Sequence, residues 1–67
     1  MNFKTFKATY DDKSFVIEED NPKVGVYLYI YQEGKCIKDF LQNDIEICKQ
    51  IALRDYGVPF NAWILQE

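Results

Sequence analysis

Histidine is absent from this chain of 67 residues, and serine occurs once, at Ser14. Without histidine the usual general base near neutral pH is missing, and Ser14 has no alternative base close to it in sequence. The three glycines are scattered, so the chain has no glycine-rich loop for phosphate. Since neither cysteine lies in a motif that would activate a thiol, we expect that the protein is not an enzyme.

Cysteine is scarce, with Cys36 and Cys48 as the two examples. Two cysteines cannot form a disulfide framework, and the chain offers too few soft ligands for a zinc site. The spacing of a calcium-binding EF-hand loop is also missing. We therefore expect two free thiols, one on a strand and one on a helix, with no metal and no cofactor; a disulfide or a metal site is the alternative.

Long apolar runs are missing as well. No stretch approaches the roughly 20 apolar residues of a membrane span, and Met1 to Lys4 opens no signal-peptide run. These features favour a soluble, cytoplasmic protein without a membrane partner. Basic residues are the minority, eight against eleven acidic ones, which gives a net charge of −3. This balance argues against a nucleic-acid backbone as partner and favours a basic protein.

The composition is otherwise that of a folding chain, with 48% hydrophobic and 16% aromatic residues. Its length predicts a single domain over residues 1–67. A domain of this size buries little surface, so we expect a stability of only a few kcal/mol.

The stretch from Val24 to Tyr31 alternates two kinds of apolar residue with the period of a β-strand. One face carries the aliphatic side chains of Val24, Val26, Leu28 and Ile30. The other face carries Tyr27, Tyr29 and Tyr31. The aliphatic face must be covered, whereas tyrosine rings end in hydroxyls that tolerate water. The sequence therefore predicts a covered face and a separate face that is free to bind.

Four strand-like runs, separated by polar turns, occupy the first two thirds of the chain: Phe3 to Tyr10, Ser14 to Glu19, Val24 to Gln32, and Lys35 to Leu41. Pro22 ends the second run because it lacks a backbone donor, and Glu33-Gly34 is a hairpin signal.

A hairpin loop of two residues predicts the register of the last two strands. It pairs Tyr31 with Cys36, Ile30 with Ile37, Tyr29 with Lys38, and Tyr27 with Phe40. Ile37 then joins the aliphatic face, while Lys38 and Phe40 join the tyrosines. A bulge at Gly34 would alter this pairing.

One amphipathic helix follows, over about Asp44 to Tyr56. Asn43 is the expected N-cap, and Glu46 completes a capping-box pattern. Gly57 ends the helix, which Pro59 cannot continue. Its apolar arc is expected to cover four positions of the sheet: Val26, Leu28, Ile30 and Ile37.

Two features lie outside this simple pattern. Asp55 projects into the apolar arc, either leaning out to water or accepting a hydrogen bond from a lysine or tyrosine of the sheet. Trp63 in the tail is expected to pack against the core edge, with Ile64 and Leu65 as a short extra strand. The predicted fold is therefore α+β: a four-stranded antiparallel meander with one C-terminal helix packed on one face.

The second half of the chain resembles that of small bacterial proteins. It carries a Gly34-Lys35 hairpin, a Leu41-Gln42 helix entry and a Gly57-Val58-Pro59 segment followed by Trp63. The resemblance covers about half of the chain. It implies a bacterial stand-alone domain and implies nothing about site residues.

The expected binding surface consists of Tyr27, Tyr29, Tyr31, Lys38 and Phe40. Tyrosine is enriched where proteins bind one another, so we expect a protein-binding module whose partner is another protein or a second copy of the chain. Such an acidic, aromatic surface resembles what an inhibitor or immunity-type protein presents to a basic partner. The structural alternative is that the Trp63 tail covers the rings, or that they sit half exposed without a partner.

The alternative function is a single-strand nucleic-acid binder that stacks bases on the tyrosines. The lysines available for this role are Lys4, Lys7, Lys35 and Lys38. The charge around Tyr29 discriminates the two functions, since a positive surface favours nucleic acid and a neutral or negative one favours protein.

Overall fold

The computed structural model describes residues 3–66. Its strands are β1 (Thr5–Tyr10), β2 (Lys13–Glu19), β3 (Val26–Gln32), β4 (Lys35–Gln42) and β5 (Ile64–Gln66). The α-helix, α1, spans Ile45–Tyr56, and a 3₁₀ turn spans Phe60–Ala62. The sheet is antiparallel with the order β4-β3-β2-β1-β5. The predicted α+β fold is confirmed, including the short C-terminal strand beside β1.

Two turns of two residues set the register of the meander. Asp11 and Asp12 join β1 to β2 with φ of 54° and 64°, and Glu33 and Gly34 join β3 to β4 with φ of 53° and 78°. Positive φ at both central residues gives a turn whose twist matches that of the flanking strands. These turns therefore place β2 directly against β1 and β4 directly against β3.

The start of the central strand differs from the prediction. Val24 lies outside β3 and is 44% exposed, so it does not belong to the covered aliphatic face. Gly25 explains the difference, because its φ of 119° interrupts the extended backbone. A Cβ atom on Gly25 would lie 2.4 Å from the carbonyl oxygen of Gln42. The close approach of β4 thus requires glycine at this position.

The predicted pairing of β3 with β4 holds for Tyr31 and Cys36 and is wrong beyond them. The register shifts there, so that Ile30 pairs with Lys38 and Tyr29 with Asp39. Ile37 is the extra residue of this bulge and is 45% exposed, so it does not join the aliphatic face. Because the bulge adds one residue to β4, every residue of β4 after Ile37 lies on the side of the sheet opposite to the predicted one.

Lys38 and Phe40 are therefore placed on the helix side of the sheet, not beside the tyrosines. Phe40 pairs with the fully buried Leu28 and packs against the core. Asp39 and Leu41 take the places that the sequence assigned to Lys38 and Phe40.

The core lies between one face of the sheet and α1. Phe15, Ile17, Leu28 and Ile30 are completely buried, as are Cys48, Ala52 and Val58 from the helix and its exit. The helix contacts β2, β3 and β4. Its thiol donor, Cys48 Sγ, lies 3.7 Å from the carbonyl oxygen of Val26. The helix thus covers the face that carries Val26, Leu28 and Ile30, as predicted, whereas Ile37 of β4 is left exposed.

The helix begins one residue later than the capping prediction requires. Asp44, not Asn43, is the N-cap, and its Oδ1 accepts a hydrogen bond of 2.8 Å from the Ile47 amide. The Asn43–Glu46 capping box is therefore wrong. A carboxylate at this position also suits the positive end of the helix dipole. Gly57 ends the helix in the left-handed conformation, as predicted.

The structure also shows where Trp63 and Asp55 lie. Trp63 is 9% exposed and packs edge-on against Phe15, at 6.3 Å between ring centroids, as expected for a tail that closes the core. Asp55 leans out to solvent, where it accepts a hydrogen bond of 2.9 Å from Arg54 Nε. The guanidinium of Arg54 lowers the pKa of Asp55.

Candidate functional site

The face of the sheet opposite α1 carries the three aligned tyrosines of β3. Strand register places their neighbours in three cross-strand rows: Thr5, Glu18, Tyr27 and Leu41; Lys7, Val16, Tyr29 and Asp39; Thr9, Ser14, Tyr31 and Cys36. The short strand β5 adds Gln66 beside Thr5 and Ile64 beside Lys7. We call this set of residues the tyrosine face.

The tyrosine rings form a continuous aromatic row. The rings of Tyr27 and Tyr29 are stacked, with centroids 5.6 Å apart and planes 11° apart. Tyr29 and Tyr31 are 6.4 Å apart and tilted by 41°. Each ring is half-buried by its neighbours. Because the rings support one another on a strand paired on both sides, little side-chain freedom remains to be lost on binding.

No described residue outside the sheet covers this row. The helix contacts the sheet from the other side, and the three tyrosines are absent from the core cluster and from the half-buried residues packed against it. Trp63 lies with Phe15 on the helix side. Within residues 3–66 the Trp63 tail therefore leaves the tyrosine rings uncovered.

Exposed aliphatic side chains lie on the two edge strands of the tyrosine face. Leu41 on β4 is 51% exposed, and Ile64 on β5 is 66% exposed. Val16 lies half-buried between Lys7 and Tyr29. The face thus combines aromatic and aliphatic surface, as the centres of protein interfaces do.

The charge around the central ring is negative. Burial by its neighbours raises the pKa of Tyr29, and the charge of Glu18, the adjoining tyrosines and Asp39 add to this effect. Among residues 3–66 the one ion pair is that of Arg54 with Asp55. Glu18 and Asp39 therefore carry charges that no described cation neutralises.

Most of the strand lysines lie elsewhere. Lys7 shares a row with Tyr29 and Asp39. Lys4 lies before the first residue of β1, and Lys35 precedes Cys36 in β4 and so belongs to the opposite side. Lys38 also lies there, with its Nζ atom 5.6 Å from the centroid of the Phe40 ring.

Of the predicted surface residues, the structure brings together Tyr27, Tyr29 and Tyr31 and separates Lys38 and Phe40 from them. Sequence reasoning missed Asp39 and Leu41, whose side follows from the bulge. It also missed Glu18, for which period-two alternation along β2 was a usable signal, since Glu18 lies on the side opposite the buried Phe15 and Ile17.

A groove of about 720 Å³ lies between the β2–β3 loop and the start of α1, away from the tyrosine face. Three of its carboxylates have local backbone partners: Glu19 accepts from the Lys4 amide at 3.0 Å, Asp20 accepts from the Asn21 amide at 2.6 Å, and Asp44 caps α1. Over residues 3–66, no group of three or more histidine, cysteine, aspartate or glutamate residues could hold a metal ion.

The two cysteines lie on opposite sides of the sheet. Cys36 is an exposed free thiol in the row of Tyr31, and Cys48 is a buried free thiol beneath α1. Burial, together with the charge of Asp44, raises the pKa of Cys48 to about 11. Burial therefore disfavours the thiolate form of Cys48.

Neither a protein-family model, nor a curated protein, nor a solved structure matches this chain. The bacterial origin inferred from the second half of the chain therefore stays a prediction. No helix within residues 3–66 is long and apolar enough to cross a membrane.

Proposed function

We propose that this chain is a protein-binding module whose interface is the tyrosine face. The observation that carries the proposal is the aligned row of Tyr27, Tyr29 and Tyr31 on the side of the sheet that the helix leaves uncovered. The module acts by docking, which occludes or bridges its partner, and performs no chemistry of its own.

The residue types on the two sides of β3 support this function. Burial alone is satisfied by the aliphatic side, where Leu28 and Ile30 are completely inaccessible. If the other face of β3 only had to be soluble, threonine, lysine or glutamate would suit it better than tyrosine. Three half-buried tyrosines bordered by Leu41 leave an amphipathic patch that a partner can cover, with hydroxyls that remain available for hydrogen bonds.

Charge favours a protein over a nucleic acid as the partner. A base-stacking sheet needs cations beside its aromatic residues to hold the phosphates. The strand positions of the tyrosine face supply one lysine, Lys7, against the carboxylates of Glu18 and Asp39. The net charge of −3 has the same sign as the phosphates.

The experiment compares immobilised wild type with Tyr29→Ala and with Tyr10→Ala as the matched control. Tyr10 is 41% exposed and alternates with the β1 residues of the tyrosine face, so the control removes a solvent-accessible tyrosine ring from elsewhere. Each protein is tested for capture of nuclease-treated lysate proteins and of added wild-type protein. A fluorescent oligothymidine at low salt tests the nucleic-acid alternative by anisotropy.

We expect wild type and Tyr10→Ala to retain the same protein, and Tyr29→Ala to lose at least about tenfold in affinity, as for a central aromatic hot spot. Equal retention by all three folded proteins would contradict the proposal. Oligonucleotide binding that Tyr29→Ala abolishes would replace it by the nucleic-acid alternative.

A further inference from the structure

The charges of the tyrosine face are arranged so that the face complements itself. In the central row, Lys7 and Asp39 lie on the outer strands β1 and β4, with Val16 and Tyr29 between them. With strands about 4.8 Å apart, the two charges lie about 7 Å on either side of the line between β2 and β3.

From this arrangement, which rests on the proposed function, we infer that the occupant of the tyrosine face is a second copy of this chain. The copies pack sheet to sheet about a two-fold axis parallel to the strands, between β2 and β3. Lys7 of each copy then faces Asp39 of the other, so that one rotation forms two ion pairs.

The other rows also match under this rotation. Tyr29 faces Val16 of the second copy, which joins aromatic and aliphatic surface at the centre. Tyr27 faces Glu18 of the second copy, so its hydroxyl can donate a hydrogen bond to a carboxylate that no described cation neutralises. Tyr31 faces Ser14 of the second copy, so each of the three rings acquires a neighbour.

The same charges disfavour the other aligned arrangement. A two-fold axis perpendicular to the strands, along the central row, would place Lys7 against Lys7 and Asp39 against Asp39. Like charges across an interface oppose docking. The charge pattern therefore selects one of the two ways in which a pair of aligned sheets can face each other.

The geometry tolerates the usual twist between packed sheets. Aligned sheets cross at about 30° and lie about 10 Å apart. This crossing rotates one sheet relative to the other about the normal to both sheets. It moves positions that lie about 7 Å from the centre by about 4 Å, and the flexible side chain of Lys7 accommodates this displacement. The charge pairs therefore survive realistic packing.

The size of the face predicts a modest affinity. Under this rotation β1 to β4 of the two copies face one another, whereas β5 faces no strand. These four strands, with seven residues in β3, give a flat footprint of roughly 440 Å² per copy. The total of roughly 900 Å² is below the standard size and is typical of weak, transient interfaces. The dimer should therefore dissociate on dilution and assemble again at high protein concentration.

The test is a charge exchange followed by sedimentation equilibrium. Lys7→Glu and Asp39→Lys are each made, and Lys38→Glu is the control, since it changes net charge as Lys7→Glu does but lies on the helix side. A cooperative thermal transition confirms that each variant is folded. Each protein is measured alone, and Lys7→Glu is measured in an equal mixture with Asp39→Lys.

We expect wild type and Lys38→Glu to dimerise, and each of the other two variants alone to have a dissociation constant raised about tenfold or more. Their mixture should dimerise close to wild type, because both contacts then join opposite charges. Wild type that stays monomeric up to about 1 mM, single variants that dimerise normally, or a mixture that fails to recover would each overturn the inference.

The inference and the proposed function can fail separately. If wild type is monomeric while Tyr29→Ala still loses capture of another protein, the proposed dimer is wrong. The proposal that the tyrosine face binds a protein is then retained. If Tyr29→Ala changes neither self-association nor capture, both are wrong.

Discussion

Asp39 lies directly opposite Tyr29 on the neighbouring strand, at the position where an unbulged hairpin would place Lys38. One extra residue, Ile37, separates the two arrangements. It exchanges a cation for an anion beside the central ring and moves Lys38 to the other side of the sheet. The electrostatic character of the tyrosine face thus depends on a local irregularity in β4.

The bulge predicts opposite responses at two adjacent residues. Phe40 packs against the core, and Leu41 is 51% exposed on the tyrosine face. We expect Phe40→Ala to lower the free energy of unfolding by about 1–3 kcal/mol, and Leu41→Ala to change it by less than about 0.5 kcal/mol. Urea unfolding of the two variants measures both values. The reverse order would indicate the unbulged register.

The sequence predicts the elements well because their signals are local. Period-two alternation in β3, the Glu33-Gly34 turn and the Gly57 stop each depend on a few neighbouring residues. The side of β4 is different, because Phe40 and Leu41 are both large and apolar and either could fill the core. With such ambivalent neighbours, no local signal chooses between the two registers.

The start of α1 offers another matched pair of variants. Because the Asp44 side chain caps the Ile47 amide, Asp44→Ala should lower the free energy of unfolding by about 0.5–2 kcal/mol. Asn43 is exposed and is not the N-cap, so Asn43→Ala should change it by less than about 0.5 kcal/mol. Equal losses would show that both residues share the cap.

The covered face of β3 is tested at Leu28, which is completely buried. Leu28→Ala should lower the free energy of unfolding by roughly 2–5 kcal/mol through lost burial and a residual cavity. In a domain this small that loss can unfold the chain. Val24→Ala, at a position 44% exposed before the strand, is the control and should melt close to wild type. An unchanged melting temperature for Leu28→Ala would remove Leu28 from the core.

The candidate site is predictable only in part, for a related reason. The tyrosine row follows from one strand, whereas its charges come from three others through Lys7, Glu18 and Asp39. To place these residues in the correct rows, the register of every strand pair in the sheet must be known, including the bulge in β4. A property that depends on several long-range pairings is not encoded in any one stretch of sequence.

Alkaline pH should destabilise the folded chain through the buried thiol of Cys48. Burial raises its pKa to about 11 in the folded chain, from an ordinary value of 9.0. Below pH 9 the thiol is protonated in both states, so its contribution to stability is complete. Between about pH 9 and 11 the unfolded chain releases this proton while the folded chain retains it. The stabilisation is therefore lost as pH rises, by up to roughly 2–3 kcal/mol.

The measurement compares Cys36→Ser with Cys36→Ser/Cys48→Ala, which removes the exposed thiol from both proteins. Urea unfolding at pH 7.5, 9, 10 and 10.5 under reducing conditions gives the stability of each. At neutral pH the alanine variant should be the less stable, because it leaves a small cavity beneath α1. The difference should shrink steadily above pH 9, since only the cysteine-containing protein loses this contribution. The tyrosines and lysines titrate in both proteins and cancel in the comparison, so a constant difference would mean that Cys48 ionises at its ordinary pKa.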